Sequence, residues 1–313
     1  MLQIIPYLPG HQIHFESLNK AWIEKFFVLE PVDREVLEHP DVHITGNGGR
    51  ILMALWDGEV AGTVALKYTK EGRLEMTKMA VDGPYQGKKI GEALVRACIA
   101  EARDMGARRL ILYSSTVLGN AIHLYRKVGF TETLPREDSY LRSDIKMEMP
   151  LRPFDREERE QLLYDYARGY DDITDALRGI PENMWDWRES ADRWNIHEII
   201  QHLCDSEANA YFRCRRILAE PGSVIPAYDE ARWARTLYRA PYRTAEALEL
   251  YRGLRTATAH LLRQIPDDAW QNEALHAERG PMTLQDWLWT YTHHTHIGQM
   301  KRLYRHYTQA HPA

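Results

Sequence analysis

The chain has 313 residues, of which 44% are hydrophobic and 27% are charged, and its formal net charge is −5 at pH 7. This length suits two domains of about 150 residues better than one. The acidic balance argues against nucleic-acid binding through bulk positive charge. A transmembrane helix is not expected either, because no apolar run reaches about 18 residues.

The cysteines and the N-terminus both bear on the cellular compartment. Cys98, Cys204 and Cys214 form no CxxC pair and are typical of buried thiols in a reducing environment. The first residues, MLQIIPYLPGHQIHF, lack the basic flank and the small-residue cleavage site of a signal peptide. These features predict a cytoplasmic protein.

Residues 1–150 alternate short apolar runs with helical patterns. RILMALWDGEVAGTVALKYT predicts a hairpin that turns at Asp57-Gly58, and RLEMTKMAV predicts a third strand. KIGEALVRACIAEARDMGA has the period of an amphipathic helix, and a buried strand (RRLILYSST), a short helix (NAIHLYRKVGF) and a closing strand (DIKMEMPL) follow. The strand–helix–strand centre implies a right-handed parallel crossover and an α/β domain.

Residues 151–313 have longer helical periods. Four helices are predicted, at about 154–178, 194–220, 243–264 and 282–307, and their apolar stripes indicate an antiparallel four-helix bundle. The predicted fold class is therefore α/β plus all-α, with domains at 1–150 and 151–313 and a boundary near Pro150–Pro153.

A glycine-containing turn, YQGKKIGEAL, lies between a strand and the start of a helix. Backbone N–H groups at such a position can hold a pyrophosphate, although the turn could equally be a solvated basic cap. The segment Gln86-Gly87-Lys88-Lys89-Ile90-Gly91 resembles the acetyl-CoA loop of the GNAT acetyltransferases, with Lys89 in place of the family's middle glycine. GNAIHLYRKVGF is similar to a second segment of that family, in the correct order along the chain.

The resemblance implies a mixed sheet flanked by helices, acetyl-CoA as the cofactor and a small-molecule amine as the acceptor. Tyr125 would protonate the leaving sulfur, and backbone amides beside a bulged strand at 78–81 would polarise the carbonyl. Glu75, just before that bulge, is the candidate general base. The alternatives are a core aromatic for Tyr125 and an outward-facing carboxylate for Glu75. The residues expected to bind the cofactor are Met79, Val81, Gln86, Gly87, Lys88, Lys89, Ile90, Gly91, Glu92 and Asn120.

Three histidines stand within four positions of WTYTHHTHIGQM. A metal site in a bundle needs about three donors that converge from different helices. His293 and His296 form an i,i+3 pair that can converge on one point, whereas His294 is turned by about 100° and is expected to face elsewhere. His202, beside an apolar face in WNIHEIIQHLCDSE, is the candidate third ligand. The alternative is a polar seam without metal.

This half resembles the DinB-like (YfiT-like) bundle family in WNIHEIIQHLCDSE, RRILAEPGSVIPAYDEARWA and HHTHIGQM. The resemblance implies a divalent metal, zinc or nickel, held by the His of an HL-x-D-x-E segment and by a His-x-x-x-His pair. His202 and His296 match the first and last ligands. Thr292 occupies the middle position, so either His293 substitutes there through a one-residue shift or the site is incomplete.

Three hypotheses remain open. The leading one is an acetyl-CoA-dependent N-acetyltransferase fused to a metal-binding DinB-like domain. The second is a metal-dependent thiol S-transferase in the bundle, with the first half secondary. The third is a non-catalytic acyl-CoA sensor whose bundle forms a homodimer or binds a partner. Neither nucleic acid nor a membrane is an expected partner.

Overall fold

The chain forms two compact units in the computed structural model, which describes residues 1–69, 72–133 and 143–311. The first unit is Met1–Pro153 and the second is Phe154–Ala313. Each unit has its own hydrophobic cores.

The first unit is a mixed sheet flanked by helices. Its strands are β1 (Leu2–Pro6), β2 (Arg50–Trp56), β3 (Glu59–Tyr68), β4 (Leu74–Val81), β5 (Arg109–Ser114), β6 (Thr131–Thr133) and β7 (Ile145–Pro150). Its helices are α1 (Gln12–Phe26), α2 (Pro31–Glu38), α3 (Pro40–His43), α4 (Ile90–Asp104) and α5 (Gly119–Lys127). The strand order is β1-β2-β3-β4-β5-β7-β6, and β4–β5 is the parallel pair.

The predicted hairpin and crossover are both present. β2 and β3 turn at Asp57 (φ 52°) and Gly58 (φ 92°), as expected for residues that tolerate positive φ. α4 connects β4 to β5 and buries Leu94 and Cys98 against one face of the sheet. α1 covers the other face with Phe15 and Ile23, so both faces of the sheet are packed.

The second unit is the expected helical bundle. Its long helices are α6 (Arg156–Arg178), α7 (Ile196–Ala219) and α9 (Thr244–Leu262), and the fourth position is taken by α10 (Leu284–His293) followed by α11 (Ile297–Ala310). The connection from α7 to α9 carries α8 (Glu230–Leu237), and β8 (Val224–Ile225), β9 (Glu273–His276) and β10 (Gly280–Thr283) form a small sheet. α6 and α7 both begin with capping boxes, Asp155 with Glu158 and Asn195 with Glu198.

The last helix differs from its prediction. Residues 282–307 were expected to form one helix, but α10 ends at His293 and α11 begins at Ile297. His296 caps α11 in the left-handed conformation, with φ 51°. The helical phase is therefore reset between the two segments, which changes the direction of each histidine side chain.

No helix among the described residues combines the length and the apolar character needed to cross a membrane.

Candidate functional sites

The first candidate site is a cavity beside the parallel strand pair. β4 and β5 pair only at Leu74–Leu110 and Glu75–Ile111, near the N-terminal end of each strand. Beyond this point a cavity opens between α1, β4, β5 and α5. Its lining includes Asn19, Trp22, Ile23, Phe27, Glu75, Lys78, Met79, Tyr113, Ser114, Ser115 and Tyr125.

β4 carries a bulge at the edge of this cavity. The β3–β4 register shifts between Thr63 and Ala65, and Lys78 adopts φ 50°. The Lys78 ammonium donates to Asp33 of α2 over 2.7 Å, and both side chains are nearly or fully buried. A bulge leaves one residue out of the ladder, and Lys78 and Met79 both belong to the cavity lining.

The two predicted catalytic residues line this same cavity. Glu75 is 3% exposed and its carboxylate lies 3.5 Å from the Lys67 ammonium. Burial, with a smaller contribution from Cys98, raises the pKa of Tyr125 to about 12. The Tyr125 hydroxyl therefore stays protonated at neutral pH, and its ring packs edge-on against Phe130.

The glycine-containing turn leads into α4 through two residues of positive φ, Gly87 (79°) and Lys89 (61°). Gln86 donates its side-chain amide to the Val81 carbonyl over 3.2 Å. The Lys88 ammonium lies about 5 Å from the rings of Trp56 and Tyr85. The turn therefore places two cationic residues, Lys88 and Lys89, at the N-terminus of α4.

The remaining predicted cofactor-binding residues have different surroundings. Met79 lines the cavity, and its methyl group would be 3.5 Å from a Cβ at Gly91. Ile90 is buried as the first residue of α4. Glu92 pairs with Arg96 and Lys127, at 2.8 and 2.7 Å. Asn120 is exposed on α5 and does not belong to the cavity lining.

The second candidate site is a cluster of three histidines in the bundle: His202, His294 and His296. The His294 Nε2 atom lies 3.2 Å from His202 Nε2 and 3.3 Å from His296 Nε2. His202 is fully buried, and the other two are partly exposed. α7 supplies the first histidine, and the break between α10 and α11 supplies the other two.

The structure places His293 outside this cluster, so the grouping differs from the predicted set of His202, His293 and His296. His293 belongs to the last turn of α10, where its Nδ1 atom donates to the Trp289 carbonyl over 2.8 Å. The prediction assumed one continuous helix, on which His293 and His296 share a face. Because the helix ends at His293, His294 turns toward His202 instead. Thr292, at the family's middle position, donates to the Leu162 carbonyl over 3.3 Å.

The ligand atoms of the three histidines lie within 4.8 Å of one another, and the two distances that involve His294 suit a tetrahedral metal ion. A Zn–N bond of about 2.0–2.1 Å places neighbouring ligand nitrogens about 3.3–3.4 Å apart. The distances from His294 Nε2 to the Nε2 atoms of His202 and His296, 3.2 and 3.3 Å, are close to this ligand–ligand distance. His296 Nδ1 lies 2.7 Å from the Gln299 side-chain oxygen, which only accepts. His296 therefore carries its proton on Nδ1 and directs a lone pair from Nε2 into the cluster.

Aromatic side chains lie beside the cluster. The Trp194 ring lies 4.7 Å from the His202 ring and 6.3 Å from that of Tyr238. Glu207, one turn and a half beyond His202, is buried and accepts from Arg255 over 2.9 Å. Sequence reasoning missed His294 and Trp194. The one signal for His294 was the density of histidines in HHTH, because no proline or glycine marks the helix break.

Comparisons with known proteins assign each unit to a family. Residues 14–130 match the model of the acetyltransferase (GNAT) family, and residues 165–300 match that of the DinB superfamily. The chain thus combines a GNAT-family domain with a DinB-superfamily domain.

Relatives of both kinds are found. A Halalkalibacterium halodurans protein named as a candidate metal-dependent hydrolase is 29% identical over 119 residues, which are 36% of this chain and 67% of the relative. Streptothricin acetyltransferase from Streptomyces lavendulae is 39% identical over 75 residues, 24% of this chain and 40% of the relative. The solved structure of YfiT from Bacillus subtilis, described as a candidate metal-dependent hydrolase, is 21% identical and covers 58% of this chain and 98% of its own, with a TM-score of 0.47.

Proposed function

We propose that the first unit transfers an acetyl group from acetyl-CoA to a primary amine. One observation carries this proposal: Glu75, Tyr125 and the Lys78 bulge surround a single cavity at the point where β4 and β5 stop pairing. A base, an acid and backbone donors are the groups that attack of an amine on a thioester requires.

Each group has a distinct role in this proposal. Glu75 accepts a proton from the amine, and it is a buried residue of the cavity lining whose carboxylate lies 3.5 Å from the Lys67 ammonium. Backbone N–H groups at the bulge stabilise the oxygen that gains negative charge. Tyr125 holds a proton for the leaving sulfur, consistent with its raised pKa of about 12. The Gly87–Lys89 turn would bind the phosphates of acetyl-CoA through backbone N–H groups and two ammonium groups.

Acetyl-CoA turnover over a panel of primary amines tests this proposal. We expect Glu75→Gln to lower kcat/KM by about 10²–10⁴-fold, the usual contribution of a general base. Glu59→Gln, a substitution of an exposed carboxylate on β3, is the matched control and should keep full activity. Tyr125→Phe should lower kcat more than it changes KM. Turnover that is unaffected by Glu75→Gln and Tyr125→Phe would overturn these assignments.

The histidine cluster supports a second activity. We propose that His202, His294 and His296 hold one divalent metal ion, zinc or nickel, and leave one coordination position open. Such an ion lowers the pKa of a bound water or thiol. Gln299 fixes the tautomer of His296, and Trp194 shields His202 from solvent on one side. The candidate-hydrolase names of the relatives favour water as the activated group, whereas the thiol S-transferase hypothesis favours a thiol.

Two assays on metal-loaded protein separate these chemistries. Hydrolysis of p-nitrophenyl acetate reports an activated water, and transfer of a small thiol to chlorodinitrobenzene reports an activated thiol. Either activity should disappear on chelation, return with added metal and be absent in His294→Ala. If acetyl-CoA binds but neither unit turns over any substrate, the acyl-CoA sensor hypothesis would be favoured instead.

A further inference from the structure

Arg213 is a buried cation in the bundle, and no described Asp or Glu lies within ion-pair distance of its guanidinium. Its side chain lies on α7, and the residue is 7% exposed. Nη1 donates to the Tyr291 hydroxyl and Nη2 to the Pro226 carbonyl, each over 2.7 Å. The buried Nε–H has no hydrogen-bond partner within residues 1–69, 72–133 and 143–311.

A second buried arginine in the same unit shows the usual arrangement. Arg255 donates to the Glu207 carboxylate over 2.9 Å, and its other donors reach the carbonyls of Tyr166 and Tyr291. A buried charge is normally paired in this way, because removal from water is costly. Arg213 donates to neutral acceptors, so its charge is compensated less completely than that of Arg255.

Arg213 lies on the side of the bundle that carries the histidine cluster. His202 and Arg213 are about three turns apart on α7, which puts them on the same helix face. Tyr291, which accepts from Arg213, has its ring 6.3 Å from that of His294. The Tyr228 ring lies 5.9 Å from the Arg213 guanidinium. Tyr291 therefore separates the guanidinium from the proposed metal position by one side chain.

A buried histidine, His276, lies in the field of Arg213. His276 is 5% exposed, and its Nδ1 accepts from the backbone N–H groups of Glu278 and Arg279. Burial, together with Arg213 and Arg279, lowers the pKa of His276 to about 4, so this histidine is neutral at physiological pH. Arg213 and Arg279 thus both act on His276, whereas Glu230 acts on the neighbouring Tyr228.

We infer that Arg213 binds an anionic group of the substrate that the bundle processes, a carboxylate or a phosphate, while the reacting group of that substrate faces His294. Three of the five guanidinium N–H groups, including Nε–H, are left for this anion. The inference rests on the proposed metal-dependent function, for which it specifies the substrate class.

Binding of small probes to the full chain tests the inference. Benzoate, its neutral analogue benzamide, and inorganic phosphate are titrated by calorimetry into metal-loaded and chelated protein. Benzoate binding without benzamide binding supports a carboxylate, and phosphate binding alone supports a phosphate. Arg213→Gln should lower the affinity for the anion that binds by about tenfold or more. The control is Arg216→Gln, which changes another arginine of α7, one that is paired with Glu220. This variant should keep the affinity of wild type.

A further variant and metal analysis separate failure of this inference from misfolding and from failure of the metal proposal. Arg213→Lys keeps the charge without the planar fork, so it should bind the anion with intermediate affinity even if Arg213→Gln does not fold. Anion binding that depends on Arg213 in a wild-type protein without metal would leave the inference standing while the metal proposal fails. The inference is overturned if wild type binds neither anion, if Arg213→Gln binds as tightly as wild type, or if Arg213→Gln loses its metal.

Discussion

The guanidinium of Arg255 on α9 lies directly against Gly169 on α6, and a Cβ atom at residue 169 would overlap Arg255 Nη1. The same guanidinium binds Glu207 of α7 and the Tyr291 carbonyl of α10. One buried side chain therefore connects all four positions of the bundle, and a glycine on α6 provides the room for it.

Gly169→Ala is expected to destabilise the bundle despite the higher helix propensity of alanine. The added methyl group must displace Arg255 from its partners, and overpacking together with a weakened buried ion pair should cost about 2–4 kcal/mol. Gly253→Ala is the matched control, because a Cβ on that α9 glycine meets nothing within 4 Å. It should stabilise by up to about 1 kcal/mol. Urea denaturation followed by tryptophan fluorescence measures the free energy of unfolding of both variants. Equal changes in the two variants would contradict the close contact between Gly169 and Arg255.

Lys89→Gly is expected to stabilise the first unit. Lys89 has φ 61°, a left-handed conformation that costs a side-chain-bearing residue roughly 1–2 kcal/mol. After the entropy cost of a more flexible unfolded chain, a gain of about 1 kcal/mol remains. Lys88→Gly is the control: Lys88 is not among the positive-φ residues and contacts Trp56 and Tyr85, so stability should fall. Calorimetry that showed a lower Tm for Lys89→Gly would contradict this explanation.

His276 should make the bundle less stable as the pH falls. Its pKa is about 4 in the folded chain against an ordinary 6.5, so only the unfolded chain binds a proton in that interval. The contribution is complete above pH 6.5 and is lost as the pH falls toward 4, by up to roughly 3 kcal/mol. His276→Asn retains an acceptor but cannot titrate. Urea midpoints at pH 7, 5.5 and 4.5 should therefore fall more steeply for wild type than for the variant, and parallel losses in the two proteins would refute this role of His276.

The hairpin, the crossover and the long helices could be predicted because local residues encode them. Asp57 and Gly58 both tolerate positive φ, and α4 shows its buried face as a regular repeat through Leu94 and Cys98. The sheet formed by β8, β9 and β10 was not predicted, because strands of two to four residues carry no measurable alternation. Periodicity did not indicate α1–α3 either.

The ligand geometry of the bundle depends on contacts that no local pattern reveals. Nothing between Trp289 and Gly298 is a helix breaker, so periodicity predicted an unbroken helix and selected His293. In the structure Arg255 binds the Tyr291 carbonyl and Thr292 binds the Leu162 carbonyl near the end of α10. These long-range bonds accompany a helix end that local propensity does not specify. The presence of histidines at this site could therefore be predicted, but the sequence did not show that His294, and not His293, lies beside His202.

Metal analysis of single histidine variants tests the central claim most directly. Untagged wild type, His294→Ala and His293→Ala are reconstituted with zinc or nickel, desalted and measured by elemental mass spectrometry. We expect about one metal ion per chain in wild type and in His293→Ala, and a loss of tight binding in His294→Ala, because two histidines hold a metal far more weakly than three. Metal that is retained in His294→Ala but lost in His293→Ala, or a wild type that binds none, would contradict the three-histidine site.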